Sequence, residues 1–350
     1  MAIRTMKIAH VSKPWLPVPS AKYGAIEKML GFLITEQVKT HEVTLFAPGN
    51  SKLPRGITLN SLFDEGVGDE GFDRNIELAQ TLHAVLEAKR LKFDIIHAHS
   101  TDPILALASV TNLPLVFTFH SVPKYEGQIL AQLAQNANIT FVFLSKSHRK
   151  QFPWIPDAEV VPYGLPVSSF PFYGQSEKSD YLAFIGAISD RKGILEAIKV
   201  ATSTNYKLKI AGKIRAGDEG FFEQEVKPAI QNNKNIEFLG EIDNNQRNDF
   251  LGKAKALLFP IKWQEPFGLV MLESLVVGTP VIAFNQGSVP EVIDNNIGFI
   301  VENIDEMCQA VENISTISNR SCRDYVENQF SIKQMTDRYD RIYEKVLASS

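Results

Sequence analysis

Two glutamates eight residues apart, Glu265 and Glu273, flank a Pro266-Phe267-Gly268 turn and the apolar run that follows it. Such a turn opens a helix. The first amides of a helix have no intrahelical acceptor and lie at the positive end of its dipole. That is a place to hold a diphosphate. Eight helical residues span ~12 Å, about the reach from the hexose to the ribose of a nucleotide sugar. One carboxylate would then grip the sugar and the other the ribose, with the diphosphate over the turn. An ordinary surface helix with an acidic first turn has the same residues, so other segments must decide between the two.

Phe184-Ile185-Gly186-Ala187-Ile188-Ser189-Asp190-Arg191-Lys192-Gly193 ends an apolar strand and opens a helix. A lysine there adds a full charge to the dipole, as a phosphate leaving group requires. Tyr23-Gly24-Ala25-Ile26-Glu27 follows the first strand and a loop with Pro14, Pro17 and Pro19. Gly24 lets the backbone approach a phosphate closely. The same loop, Lys13 to Tyr23, carries an exposed-looking Trp15 and suits an acceptor pocket.

Thr118-Phe119-His120 ends a strand, which places His120 at the rim where α/β proteins bind ligands. His97 and His99 also end a strand and point to one side of it. They read as a metal pair, as the polar rim of an acceptor site or as plain structure, and no acidic or thiol partner is near in sequence to favour the metal. Ser288 with Glu291 reads as a capping box with Pro290 in the first turn, after a Gly287 that could also line the site. Gly66-Val67-Gly68-Asp69-Glu70-Gly71 matches a dinucleotide fingerprint. Four crowding carboxylates, Asp64, Glu65, Asp69 and Glu70, would repel a pyrophosphate, so it reads as a loop.

Short apolar strands alternate with helices to position these residues. Strands are expected at Lys7–His10, Glu42–Phe46, Ile95–His97, Leu115–Phe119 and Thr140–Leu144, then at Tyr181–Ile185, Lys207–Ile210, Ile236–Leu239, Ala256–Phe259 and Val281–Phe284. Helices are expected near Ala25–Lys39, Arg74–Arg90 and Gln128–Gln135. Continuous apolar strands between helices imply parallel sheets covered on both faces. The join lies near Val161-Pro162-Tyr163-Gly164-Leu165-Pro166. The expectation is two Rossmann-like β/α/β domains, 1–165 and 166–333, facing across a cleft. A final amphipathic helix, 334–350, carries Met335, Tyr339, Ile342, Tyr343 and Val346 on a helical period and crosses back to the first domain.

On these residues the chain resembles the retaining GT-B glycosyltransferases of family GT4. Glu265 to Glu273 is similar to their E-x7-E motif, Gly186 to Gly193 to their Gly-Arg…Lys-Gly segment, and Gly24 to Glu27 to their Gly-Gly-x-Glu segment. The resemblance implies a domain 1–165 for the acceptor and a domain 166–333 for a nucleotide-sugar donor. It implies hexosyl transfer with retention (class EC 2.4.1), to a saccharide, a lipid-linked acceptor or a small metabolite. It further implies His120, Glu265 and Lys192 at the reacting centre. Gly24, Gly186, Arg191, Ile242, Phe267, Gly268, Leu269 and Glu273 would hold the donor, and Trp15 and His99 would face the acceptor. Two positions depart from the pattern: Ala187 stands where the family has an arginine, and Ala25 where it has a second glycine. Arg191, Lys213 or Arg215 would have to replace that arginine.

A UDP-sugar is the first expectation and a GDP-sugar the second, with no cofactor. There is no Asp-x-Asp to carry a metal-bound diphosphate. The alternatives are an epimerase or phosphorylase of the same fold, or a donor-binding protein that lost turnover through Ala187. The 350 residues carry a net charge of −4, and residues 1–165 hold 16 basic against 15 acidic side chains. That argues against nucleic acid and against more than peripheral membrane contact. Two cysteines without metal spacing, and a start with no secretory pattern, point to the cytoplasm.

Overall fold

The computed structural model describes residues 4–21, 24–68, 73–111, 113–135, 137–155 and 157–349. The chain folds as two compact units. One comprises the chain up to Ser20, Gly24–Gly164 and the segment from Ile332 onward, and the other is built on Leu165–Ser331.

Among the described residues the first unit holds seven strands: β1 Lys7–Val11, β2 Glu42–Phe46, β3 Ile57–Asn60, β4 Ile95–His99, β5 Leu115–Thr118, β6 Ile139–Phe143 and β7 Glu159–Val160. All pair in parallel, in the order β3-β2-β1-β4-β5-β6-β7. Both faces are covered, and β4 and β5 are buried along their whole length. Three helices join successive strands: α1 Ala25–Gln37, α2 Arg74–Leu91 and α3 Pro103–Thr111. Asp73 caps α2 by accepting from the Asn75 amide at 2.8 Å. A fourth helix, α4, spans Tyr125–Ala134 and starts three residues before its expected beginning at Gln128. The C-terminal helix Ile332–Ser349 packs on α1, and Met335, Tyr339, Ile342, Tyr343 and Val346 are all buried.

The second unit holds β8 Tyr181–Ile185, β9 Lys207–Ala211, β10 Ile236–Phe238, β11 Ala256–Phe259, β12 Val281–Phe284 and β13 Gly298–Val301. These too are all parallel, in the order β10-β9-β8-β11-β12-β13. The edge strand β13 lies beyond the last expected one. Its opening glycine and half-buried edge position give it too weak an apolar run to be read from sequence.

In each sheet the strand order reverses once, between β1 and β4 and between β8 and β11. Open α/β sheets bind ligands beyond the carboxyl ends of the strands at such a reversal. Among the described residues no helix is long and apolar enough to cross a membrane, and both cysteines are free thiols.

Candidate active site

At the reversal in the second unit, two loops leave the carboxyl ends of β8 and β11. The β8 loop runs through Gly186 and Ala187 into a short 3-10 turn, Asp190–Lys192. The β11 loop runs through Trp263 to Glu265. A backbone bond from Lys262 N–H to Arg191 C=O at 2.9 Å ties the loops together. The Lys192 ammonium then meets Glu265 Oε2 at 2.5 Å, with both side chains largely buried. Trp263 Nε1–H donates to the same oxygen at 2.8 Å. The Arg191 guanidinium lies over the Trp263 ring, 4.6 Å from its centre, a cation–π contact. Two residues 73 positions apart, each singled out by its own motif, are thus one ion pair.

The helix of the Glu265–Glu273 segment begins only at Leu269 and runs to Val276, with Gly268 in the left-handed region before it. Glu265 to Gly268 are therefore loop, and the expected span of eight helical residues is corrected to a turn plus the first five residues of a helix. Phe267 and Leu269 are buried beside this start. Glu273 is buried in the helix, and Arg247, from the helix Asn244–Gly252, donates to both its oxygens at 3.2 and 3.1 Å. Sequence reading missed Arg247 because a lone arginine in a polar helix carries no signal. It also missed Trp263, although an aromatic two residues before Glu265 was the available cue. Ile242 is buried in the loop beyond β10, where the Gly212 amide donates to Gly240 C=O at 2.8 Å.

Gly287 shapes the same corner. Its φ is +57°, and a Cβ there would lie 2.5 Å from Glu265 N and 2.6 Å from Glu265 O. The next amide, Ser288 N–H, bonds Glu265 C=O at 3.1 Å. The loop after β12 thus presses directly on the backbone that aims Glu265. The expected capping box is not made: Ser288 Oγ is buried without a partner and caps nothing. Replacing Gly287 by Ala is expected to cost ~1 to 2 kcal/mol from the backbone conformation alone. The clash is with backbone, so Glu265 must shift as well. A lower melting temperature together with at least a tenfold loss of turnover is expected; full activity in a destabilised variant would show that Gly287 does not aim Glu265.

The first unit carries a second cluster at its own reversal. His10 on β1 is in register with His97 on β4, and His99 and His120 follow at the carboxyl ends of β4 and β5. All four are buried. His120 therefore does not stand exposed: its Nδ1 meets Tyr163 OH at 2.7 Å and its Nε2 meets His99 Nδ1 at 3.0 Å. His99 is likewise interior rather than a polar rim, with its Nε2 3.1 Å from His10 Nδ1. Burial pulls His10 and His120 down to about 3 and His97 and His99 well below the usual histidine range, so all four are neutral. Ligand nitrogens of His10, His97 and His99 lie within 4.8 Å of one another, close enough to share a cation. Both nitrogens of each ring are already spent on hydrogen bonds, which a metal would have to strip.

Trp15, expected to be exposed, is buried. Its C=O accepts from Gly68 N–H at 2.9 Å, which packs the Gly66 segment against the first loop; Asp69 to Gly71 lie outside the described residues. Gly24 has φ +125° and would set a Cβ 2.5 Å from Ser20 Oγ, so the turn into α1 demands glycine on structural grounds. Tyr23 lies outside the described residues.

Two family models account for most of the chain: that of the glycosyl transferases group 1 matches residues 168–330, and that of glycosyltransferase family 4 matches 26–165. The chain belongs to the GT4 glycosyltransferases. An uncharacterised 41.2 kDa protein of the cps region of Klebsiella pneumoniae is 31% identical over 179 residues, 48% of this chain and 47% of that protein. The match thus spans about half the length of either protein. Among solved structures, sucrose-phosphate synthase of Thermosynechococcus elongatus superposes with a TM-score of 0.81 at 17% identity, over 99% of this chain and 100% of the other. The Anabaena protein HepE, crystallised with UDP and glucose, superposes with a TM-score of 0.75 at 15% identity, over 97% and 100%. These likenesses establish the GT-B fold, two Rossmann-like α/β halves.

Ala187, the position where the resemblance implies an arginine, is buried and offers no charge. Arg191, one of its three candidate replacements, lies against Trp263 beside the Lys192–Glu265 pair.

Proposed function

We propose that this GT4 protein is a retaining glycosyltransferase that moves a hexosyl unit from a nucleotide-diphosphate sugar to an acceptor hydroxyl, with no metal. The observation that carries the reading is the meeting of Lys192 and Glu265 where β8 and β11 end, at the sheet reversal that α/β folds use for ligands. Lys192 and Arg191 neutralise the departing diphosphate together with the amides at the start of the helix Leu269–Val276. Glu265, held by Lys192 and Trp263, accepts hydrogen bonds from sugar hydroxyls. Glu273, backed by Arg247, takes the ribose hydroxyls. As the anomeric C–O bond to the phosphate breaks, the acceptor oxygen bonds to the same carbon from the same face. The released phosphate oxygen takes the acceptor proton. Catalysis is positioning and charge stabilisation of an oxocarbenium-like state, and no side chain is assigned as a nucleophile.

A UDP-sugar is the first choice of donor and a GDP-sugar the second; HepE, of the same fold, was crystallised with UDP and glucose. A thermal-shift screen against UDP, GDP, ADP and their sugars tests the donor site. A nucleotide at 100 times its Kd is expected to add ~2.7 kcal/mol of stability. Glu273→Gln, which keeps volume and leaves Arg247 an acceptor, is expected to lose most of that shift. No shift with any nucleotide would remove the donor site.

A further inference from the structure

Nine side chains of the first unit form one buried hydrogen-bond chain, and its direction follows from a single group. Gln37 Oε1 has only lone pairs, so His10 Nε2, 2.8 Å away, carries the proton. A neutral imidazole has one N–H, so His10 Nδ1 is bare and His99 Nε2–H donates to it at 3.1 Å. His99 Nδ1 is then bare, and His120 Nε2–H donates to it at 3.0 Å. His120 Nδ1, bare in turn, accepts the Tyr163 hydroxyl at 2.7 Å.

On its other side Gln37 Nε2–H donates to Tyr343 OH at 3.2 Å. Tyr343 then has its proton for His97 Nδ1 at 2.7 Å, and His97 Nε2–H donates to Thr118 Oγ1 at 2.8 Å; Thr118 Oγ1 and Tyr339 OH, 3.1 Å apart, share a hydrogen bond that either hydroxyl can donate. The donations run the same way from Tyr163 through the three histidines to Gln37 and on to Thr118. Every ring is neutral and no ring nitrogen is wasted. Reversing the Gln37 amide would reverse all four tautomers.

We infer that Gln37 is a positioning residue which, through His10 and His99, locks His120 as the Nε2–H tautomer with its Nδ1 lone pair turned to Tyr163. The consequence for the reaction rests on the proposed transferase function. On that reading His120 offers the reaction a neutral hydrogen-bond acceptor at Nδ1, the atom that accepts the Tyr163 hydroxyl here. It does not donate a proton. The C-terminal helix, through Tyr343 and Tyr339, closes the chain and so takes part in setting a tautomer at the end of β5.

The test is nitrogen-15 NMR of histidine-labelled protein at pH 7.5, which reads the tautomer of each ring independently of activity. Expected are four Nε2–H imidazoles at His10, His97, His99 and His120. Gln37→Met, which removes the shared amide, is expected to let His120 populate both tautomers although two rings separate it from position 37. In the same variant turnover is expected to fall about tenfold with nucleotide-induced stabilisation unchanged. An Nδ1–H tautomer at any of the four in the unaltered protein overturns the inference, as does an unchanged His120 in the variant or stoichiometric Zn2+ uptake that abolishes the four signals. Should Gln37→Met not fold, the tautomers of the unaltered protein and of Tyr163→Phe, whose His120 is expected to keep Nε2–H, decide alone. A donor screen with no nucleotide response would refute the transferase reading and leave the tautomer result standing.

Discussion

Lys192→Met is expected to lower transfer by ~10²- to 10³-fold, the loss typical of removing one preorganised group that stabilises charge in the transition state. The physical reason is the missing partner. On the proposed reading Lys192 would carry more of the diphosphate charge than it would beside two cations, because buried, uncharged Ala187 stands where the GT4 resemblance implies an arginine. Arg191→Met, which removes the guanidinium that lies over Trp263, is expected to cost about tenfold by the same argument. The fold should survive either change. Without Lys192, Glu265 still accepts from Trp263 Nε1, so the carboxylate is not left bare. Steady-state transfer or donor hydrolysis measures the effect. A Lys192→Met protein with unchanged rate would take the Lys192–Glu265 pair out of the reaction and leave it a structural salt bridge.

Acid is expected to unfold the first unit well before the second. Five of its histidines, His10, His97, His99, His120 and His148, are held neutral by burial; His10 and His120 are lowered to about 3 and His148 to about 4. Their folded values lie below the unfolded value of about 6.5, so the unfolded chain binds more protons and stability rises with pH. The stability is complete above about pH 6.5 and is lost as pH falls from there toward 3. At pH 5 each unfolded imidazole gains ~2 kcal/mol from protonation that the folded one forgoes. Over His10, His120 and His148 that is ~6 kcal/mol, within the range of an ordinary domain's whole stability, and His97 and His99 act in the same direction. Hydrogen exchange or tryptophan fluorescence between pH 4 and 8 should show Trp15 and the β4–β5 region opening near pH 5 while the β8–β11 region persists. A first unit still closed at pH 4 would mean that these rings are not neutral and buried in solution.

Much of the fold was legible because parallel strands declare themselves. A strand buried on both faces must be apolar throughout, and Ile95–His99 and Tyr181–Ile185 are, apart from the histidines. Edge strands obey no such constraint, which is why Gly298–Val301 went unread. The segments around Lys192 and Glu265 stood out for a local reason, since each sets a glycine and a charged side chain within a few residues of a helix start. Burial was less legible than identity. Trp15 looked like an exposed ring in a proline-rich loop and His99 like a polar rim, but both are interior, because hydrogen bonding and packing from distant segments cover them.

The sequence by itself determined which residue types stand at the ends of the strands, and with that the family and the class of chemistry. Only the tertiary structure decided who meets whom. Lys192 pairs with Glu265 because β8 and β11 are neighbours in the sheet although two strands intervene along the chain. Arg247 reaches Glu273, and Gln37 meets Tyr343 across 306 residues, because helices far apart in sequence pack side by side. Side-chain partners at such separations are set by the closing of the sheet and its helices, and a local pattern of residues carries no record of them.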